Sequence, residues 1–170
     1  DIASPFALKF EVLNDGTLLV AELRDSLAPD YSAMEHRLKN DILFFLGLEN
    51  VKARDFLFYW PIVKNSKLNQ SRQDVSQALA GIIDARFGVQ SRFERVILLG
   101  SNAAEFMLER HDKFELREKM IVSYRLADML DQPLLKKHLF SKINSPINNS
   151  LTNSDEAGSS MEINGPGELS

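Results

Sequence analysis

The chain has 170 residues with a net charge of -4, 44% hydrophobic and 26% charged, a composition that suits one globular domain with its own core. The acidic balance argues against a dedicated nucleic-acid coat, which carries a basic excess. The absence of cysteine excludes disulfides, thiolate metal sites, iron–sulfur clusters and cysteine nucleophiles.

The longest apolar run, Ile42 to Leu46, is far short of the roughly 18–20 residues of a membrane span, so no membrane is expected and a cytoplasmic location is. Asp1 is preceded by neither an initiator Met nor a signal-type segment, and an upstream stretch is expected. Phe6, Leu8, Phe10 and Val12 alternate with Ala7, Lys9 and Glu11, the period of a half-buried strand. Asn14-Asp15-Gly16 predicts a hairpin turn because Asp-Gly tolerates positive φ. Leu18 to Leu23 returns as a more buried strand, and Ser26 to Tyr31 is a loop.

From Ser32 the period becomes helical. Met34, Leu38, Ile42 and Phe45 define one face, Glu35, Arg37, Lys39 and Asp41 the other, and Gly47 closes the helix. Asp55 to Trp60 is a strand stopped by Pro61, and Lys64 to Gln70 is a polar loop. Ser71-Arg72-Gln73-Asp74 fits a capping box ahead of a helix with Val75, Leu79, Ile82, Ile83 and Phe87 inward and Gly88 near its end.

Arg95 to Leu99 is a continuous apolar run ending at Gly100, and Ser101 or Asn102 can cap the helix that begins with Ala103-Ala104. Such a run suits a strand buried on both faces, so this strand–turn–helix is expected at the centre of an α/β domain. Glu109 to Glu118 reads as a charged loop, Lys119 to Tyr124 as the last strand, and Pro133 to Phe140 as the final helix. Strands alternating with helices imply parallel βαβ units. From Asn144 the periodicity is lost to Asn, Ser, Gly and acidic residues. The expectation is a domain over 1–143 and a disordered polar tail over 144–170.

Four phrases carry a resemblance over roughly Leu18 to Ile143: Ala21-Glu22-Leu23, Trp60-Pro61-Ile62-Val63-Lys64, Leu99-Gly100-Ser101-Asn102-Ala103-Ala104, and Met129 to Phe140. In order and spacing they resemble the uracil-DNA glycosylase superfamily, most closely its thermostable-type branch. The resemblance implies a three-layer α/β/α sandwich around a mainly parallel sheet, here with an N-terminal β-hairpin added.

The departures fall where that family does its chemistry. A Gly-Glu-Ala-Pro-Gly turn becomes Ala21 to Asp25, and Pro61 stands in place of the uracil-reading Asn. Asn65 takes the position of a cluster cysteine, and Arg125-Leu126-Ala127 replaces His-Pro-Ser. The resemblance thus implies a kept scaffold and an erased glycosylase site. The non-enzymatic psi-type subunits of bacterial DNA polymerase III, whose fold is similar to that of the glycosylases, also resemble this chain. That resemblance implies a clamp-loader accessory role with a protein partner such as the chi subunit, and weak or absent direct nucleic-acid binding. The alternative is an active enzyme on the same scaffold, a divergent base glycosylase or a hydrolase using Glu22 and Arg125. A third is a DNA-associated accessory protein without a fixed partner.

The candidate ligand- or partner-binding residues are Glu22, Arg24, Tyr59, Trp60, Lys64, Tyr124 and Arg125. Glu22, with Asp25 and Arg24 beyond it, is either a general base or a solvated loop acid. Arg125, beside Tyr124 where α/β folds place ligands, either binds phosphate or a partner's carboxylate or pairs with a local acid such as Asp128. Tyr59-Trp60-Pro61 either stacks on a base, anchors a partner or packs into the core. Lys64, Lys67 and Arg72 either touch phosphate or line a solvated loop, and Gly100-Ser101 either holds an anion or simply begins a helix. His36, His111 and His138 have no ligand-like spacing. No catalytic residue, metal or cofactor is assigned.

Overall fold

The computed structural model describes residues 2–49, 51–63, 70–88, 91–109, 114–116 and 120–144. In chain order these form β1 (Phe6–Leu13), β2 (Thr17–Glu22), α1 (Ala33–Phe45), β3 (Lys52–Trp60), α2 (Arg72–Phe87), β4 (Ser91–Phe93), β5 (Arg95–Leu99), α3 (Ser101–Leu108), β6 (Phe114–Leu116), β7 (Met120–Ser123), α4 (Leu126–Asp131) and α5 (Pro133–Asn144). The class is α/β.

A five-stranded sheet has the order β3-β1-β2-β5-β7, and β4 pairs with β6 apart from it. The sheet is mixed where the sequence predicts a mainly parallel one. β1 runs antiparallel to both β2 and β3, while β2–β5 and β5–β7 are parallel. The cause is local. Gly16 takes φ 90° in the Asn14-Asp15-Gly16 turn, which returns the chain beside β1, and β3 then adds to the other edge of β1. β2, β3, β5 and β7 therefore share one direction, and their carboxyl ends lie at one end of the sheet. The middle strand is β2. The β5–α3 unit, expected at the centre, lies one place to its side.

Strand alternation divides the core in two. Phe6, Leu8, Phe10, Leu18, Val20, Val96 and Leu98 pack with Val75, Leu79 and Ile83 of α2 and with Phe106 and Met107 of α3. Leu19, Ala21, Ile97 and Leu99 pack with Leu38, Ile42 and Leu43 of α1, Leu126 and Met129 of α4, and Leu139 of α5.

Local signals behave as read. Ser71 and Asp74 form the reciprocal capping box of α2, and Gly47 follows α1 at φ 74°. Other expectations are corrected. β1 is buried along both faces rather than half-buried, because α2 covers the face of Phe6, Leu8 and Phe10 while Tyr31 and Lys39 close over Lys9 and Glu11 on the other. The inward face of α1 holds Glu35 and Lys39 beside Leu38, Ile42 and Leu43, while Met34 and Phe45 are exposed. Charged residues can occupy that face because each finds a partner there. The predicted loop of 109–118 contains β6, and β4 and α4 are elements without a strong periodic signal of their own. The polar loop from Lys64 to Asn69 and the tail beyond Asn144 lie outside the described residues.

Candidate functional site

β5 ends at Leu99, and Gly100 turns the chain into α3 with φ 124°. Its amide donates to the Ser123 carbonyl at 2.9 Å, tying the ends of β5 and β7 together. A Cβ at Gly100 would lie 2.5 Å from Glu22 Cβ and 2.6 Å from Glu22 Oε1, so only glycine meets both the positive φ and the close approach. The freed space is filled by the Glu22 carboxylate at the end of β2. Its Oε1 accepts the Asn102 backbone N–H at 2.9 Å, and its Oε2 accepts the Asn102 side-chain amide at 2.8 Å.

Ser101 and Asn102 therefore do not cap α3 as the sequence suggests. Gly100 occupies the cap position without a side-chain bond, and the acceptor comes from β2. A carboxylate there also meets the positive end of the helix dipole.

Arg125 is the next residue around this end of the sheet. Its Nε and Nη2 grip both oxygens of Asp128 at 3.0 and 2.8 Å, and its Nη1 donates to the Arg24 carbonyl at 3.0 Å. Of the two readings of Arg125, the local pairing is the one present. The Asp128 hydrogen bond, working against desolvation, raises the guanidinium pKa above its ordinary value. Arg24 is engaged in turn. Its Nη1 donates to Glu35 Oε1 at 2.9 Å and to the Asp30 carbonyl at 3.0 Å. Since Glu35 also accepts the Ser32 amide at 2.7 Å in the capping box of α1, Arg24 fastens the loop after β2 to that helix.

Glu22, Arg24, Tyr124 and Arg125 thus gather around the carboxyl ends of β2, β5 and β7, with Tyr124 exposed at the rim. A cleft of about 360 Å³ lies beside them, lined by Gly100, Ser101, Ser123, Tyr124, Arg125 and His138 among others. Tyr59 and Trp60 are elsewhere, on the far side of β1. The Tyr59 hydroxyl donates to the Ala28 carbonyl at 2.9 Å. Trp60 is buried beside Phe58, with its indole N–H unpartnered. Trp60 is thus a core residue and not a stacking platform, while Tyr59 is half-buried. Lys64 lies outside the described residues. Arg72 pairs with Glu105 and covers the Phe106 ring. Among the described residues no cluster of His, Asp and Glu could hold a metal ion, and no helix is long and apolar enough to cross a membrane.

Sequence reasoning missed a second charged cluster. Glu11, fully buried in β1, is 3.0 Å from the Lys39 ammonium and accepts the Tyr31 hydroxyl. Lys9 is 2.6 Å from Asp30 and 3.6 Å from Asp55, which also pairs with Lys52 at 2.8 Å. The ammonium groups of Lys9 and Lys39 lie 4.9 and 5.2 Å from the Tyr31 ring centroid. Burial, then the charge and hydrogen bond of Glu11, push the Tyr31 phenol well above its usual range. The Lys52 hydrogen bond, against desolvation, holds Asp55 below the ordinary carboxylate value. Three cations face three carboxylates, so the cluster is internally neutral. The signal available was the spacing of Glu35 and Lys39 on one helical face, with Lys9 and Glu11 on one strand face.

No protein-family model matches this sequence, and no curated protein and no solved structure matches it.

Proposed function

We propose that this chain is a non-catalytic protein-interaction module on a glycosylase-like three-layer scaffold, serving in the cytoplasm as a psi-type accessory subunit of a bacterial clamp loader. The observation that supports it is the engagement of Glu22. Each carboxylate oxygen accepts an N–H of Asn102 and closes α3, and Glu22 is buried outside the lining of the cleft, whereas a general base must present a lone pair to the substrate or its water. Arg125, the other charged group at this end, commits three of its nitrogens to Asp128 and Arg24. Pro61, at the end of β3, lacks an amide for a base edge, and a flipped base must be read through its pairing edge.

The test is a uracil-containing oligonucleotide incubated with excess protein and then subjected to abasic-site cleavage. No strand scission is expected, together with capture of a purified clamp-loader component such as the chi subunit by the full chain. Time-dependent scission abolished by Arg125→Ala or Glu22→Gln would overturn this reading in favour of a divergent glycosylase or hydrolase.

A further inference from the structure

Two phenylalanines end α1 side by side, Phe44 at 79% and Phe45 at 47% exposure. The Phe45 ring lies 4.5 Å from that of Phe140 on α5 and 6.1 Å, edge-on, from that of Phe44. The three rings make one continuous surface across the two helices. Cations border it. Arg37 and Asp41 share the stripe of Phe44 and Phe45 at helical spacing, and Lys136 and Lys137 precede Phe140 by one turn.

Arg37, Lys136 and Lys137 have no carboxylate partner among the described residues, unlike Lys9, Lys39, Lys52, Arg24, Arg72 and Arg125. Three unpaired cations against one acid make a locally positive rim on a chain whose net charge is -4.

We propose that this α1–α5 surface docks an acidic segment of a partner protein that carries apolar anchors. Exposed aromatic rings supply the anchoring contacts that dominate interfaces. The cationic rim selects an acidic complement, and it repels a second copy of the same surface. The inference rests on the interaction-module reading and names the chemistry of the partner.

The test uses the full chain and two fluorescent synthetic peptides. Each has Leu at amphipathic helical spacing, with Glu at every other position in one and Lys in the other. Saturable binding of the Glu peptide is expected, reduced by about tenfold or more in Phe44→Ser and in the Lys136→Glu/Lys137→Glu double variant, and weakened by added salt. Circular dichroism should show both variants folded, since the altered side chains are at the surface. Absence of saturable binding, equal binding of the Lys peptide, or indifference to both variants would overturn the proposal. So would a dimer dispersed by Phe44→Ser in a chain that binds neither peptide. Uracil excision by the same preparation would overturn the non-catalytic reading while leaving this surface standing.

Discussion

Glu22 and Asn102 are separated by 80 positions, yet the carboxylate of the first receives both the backbone and the side-chain N–H groups of the second. The bond joins the end of β2 to the start of α3 across the parallel β2–β5 pair. It makes the first turn of α3 dependent on the sheet rather than on its own sequence. Gly100 completes the relationship by leaving the space the carboxylate fills.

Removing the acceptor leaves donors of α3 unsatisfied. Glu22→Ala should lower unfolding free energy by about 1–3 kcal/mol, between the loss of a cap and of a charged hydrogen bond. Gly100→Ala should also destabilise, through its positive φ and its clash with Glu22. The double variant should lose somewhat less than the sum, because the clash with Oε1 goes with the carboxylate while the clash with the Cβ of residue 22 and the φ strain stay. Urea unfolding of the four proteins measures this. Strict additivity would mean that the two residues do not share the space described.

Tyr31 should respond at alkaline pH. Its folded pKa is raised, chiefly by burial and then by Glu11. The neutral phenol therefore contributes stability that is complete below the ordinary tyrosine value of about 10 and is lost as pH rises above it. Absorbance titration should show a late phenolate component that accompanies unfolding and is missing from Tyr31→Phe. Reversible ionisation of Tyr31 in the native protein would contradict its placement beside Glu11.

The Glu11–Lys39 pair is buried at 0% and 3% side-chain exposure. Lys39→Met should therefore cost about 3–5 kcal/mol by stranding the carboxylate, whereas Glu11→Met/Lys39→Met should recover most of that loss. Denaturant unfolding compares them. A single variant as stable as the parent would mean that the pair is solvated.

Leu98 packs in β5 against residues of α2 and α3 and is fully buried. Leu98→Ala should cost about 2–5 kcal/mol, measured by thermal or urea unfolding. A loss below about 0.5 kcal/mol, the range of surface changes, would be incompatible with that position.

Short-range chemistry was legible from the chain. Asn14-Asp15-Gly16 specifies a tight turn, Ser71 and Asp74 specify a helix start, Gly47 specifies a helix end, and Arg95 to Leu99 specifies a strand too apolar for an exposed face. Each rests on φ preferences, reciprocal hydrogen bonds or apolar periodicity within a few residues. The fate of Glu22 and Arg125 was not legible in the same way. A carboxylate or guanidinium in a loop has the same local sequence whether it meets substrate, solvent or another element, and only strand order brings Asn102 to one and Arg24 to the other. Lys9 and Glu11 make the same point inside the sheet. Their alternation with apolar neighbours predicts a solvated face, but β3 pairs beyond β1 while Tyr31 and Lys39 close over it. Apolar alternation by itself determined which residues of β1 could share a face. Only the tertiary structure decided that the charged face is buried, because that burial depends on opposite charges delivered from other parts of the chain.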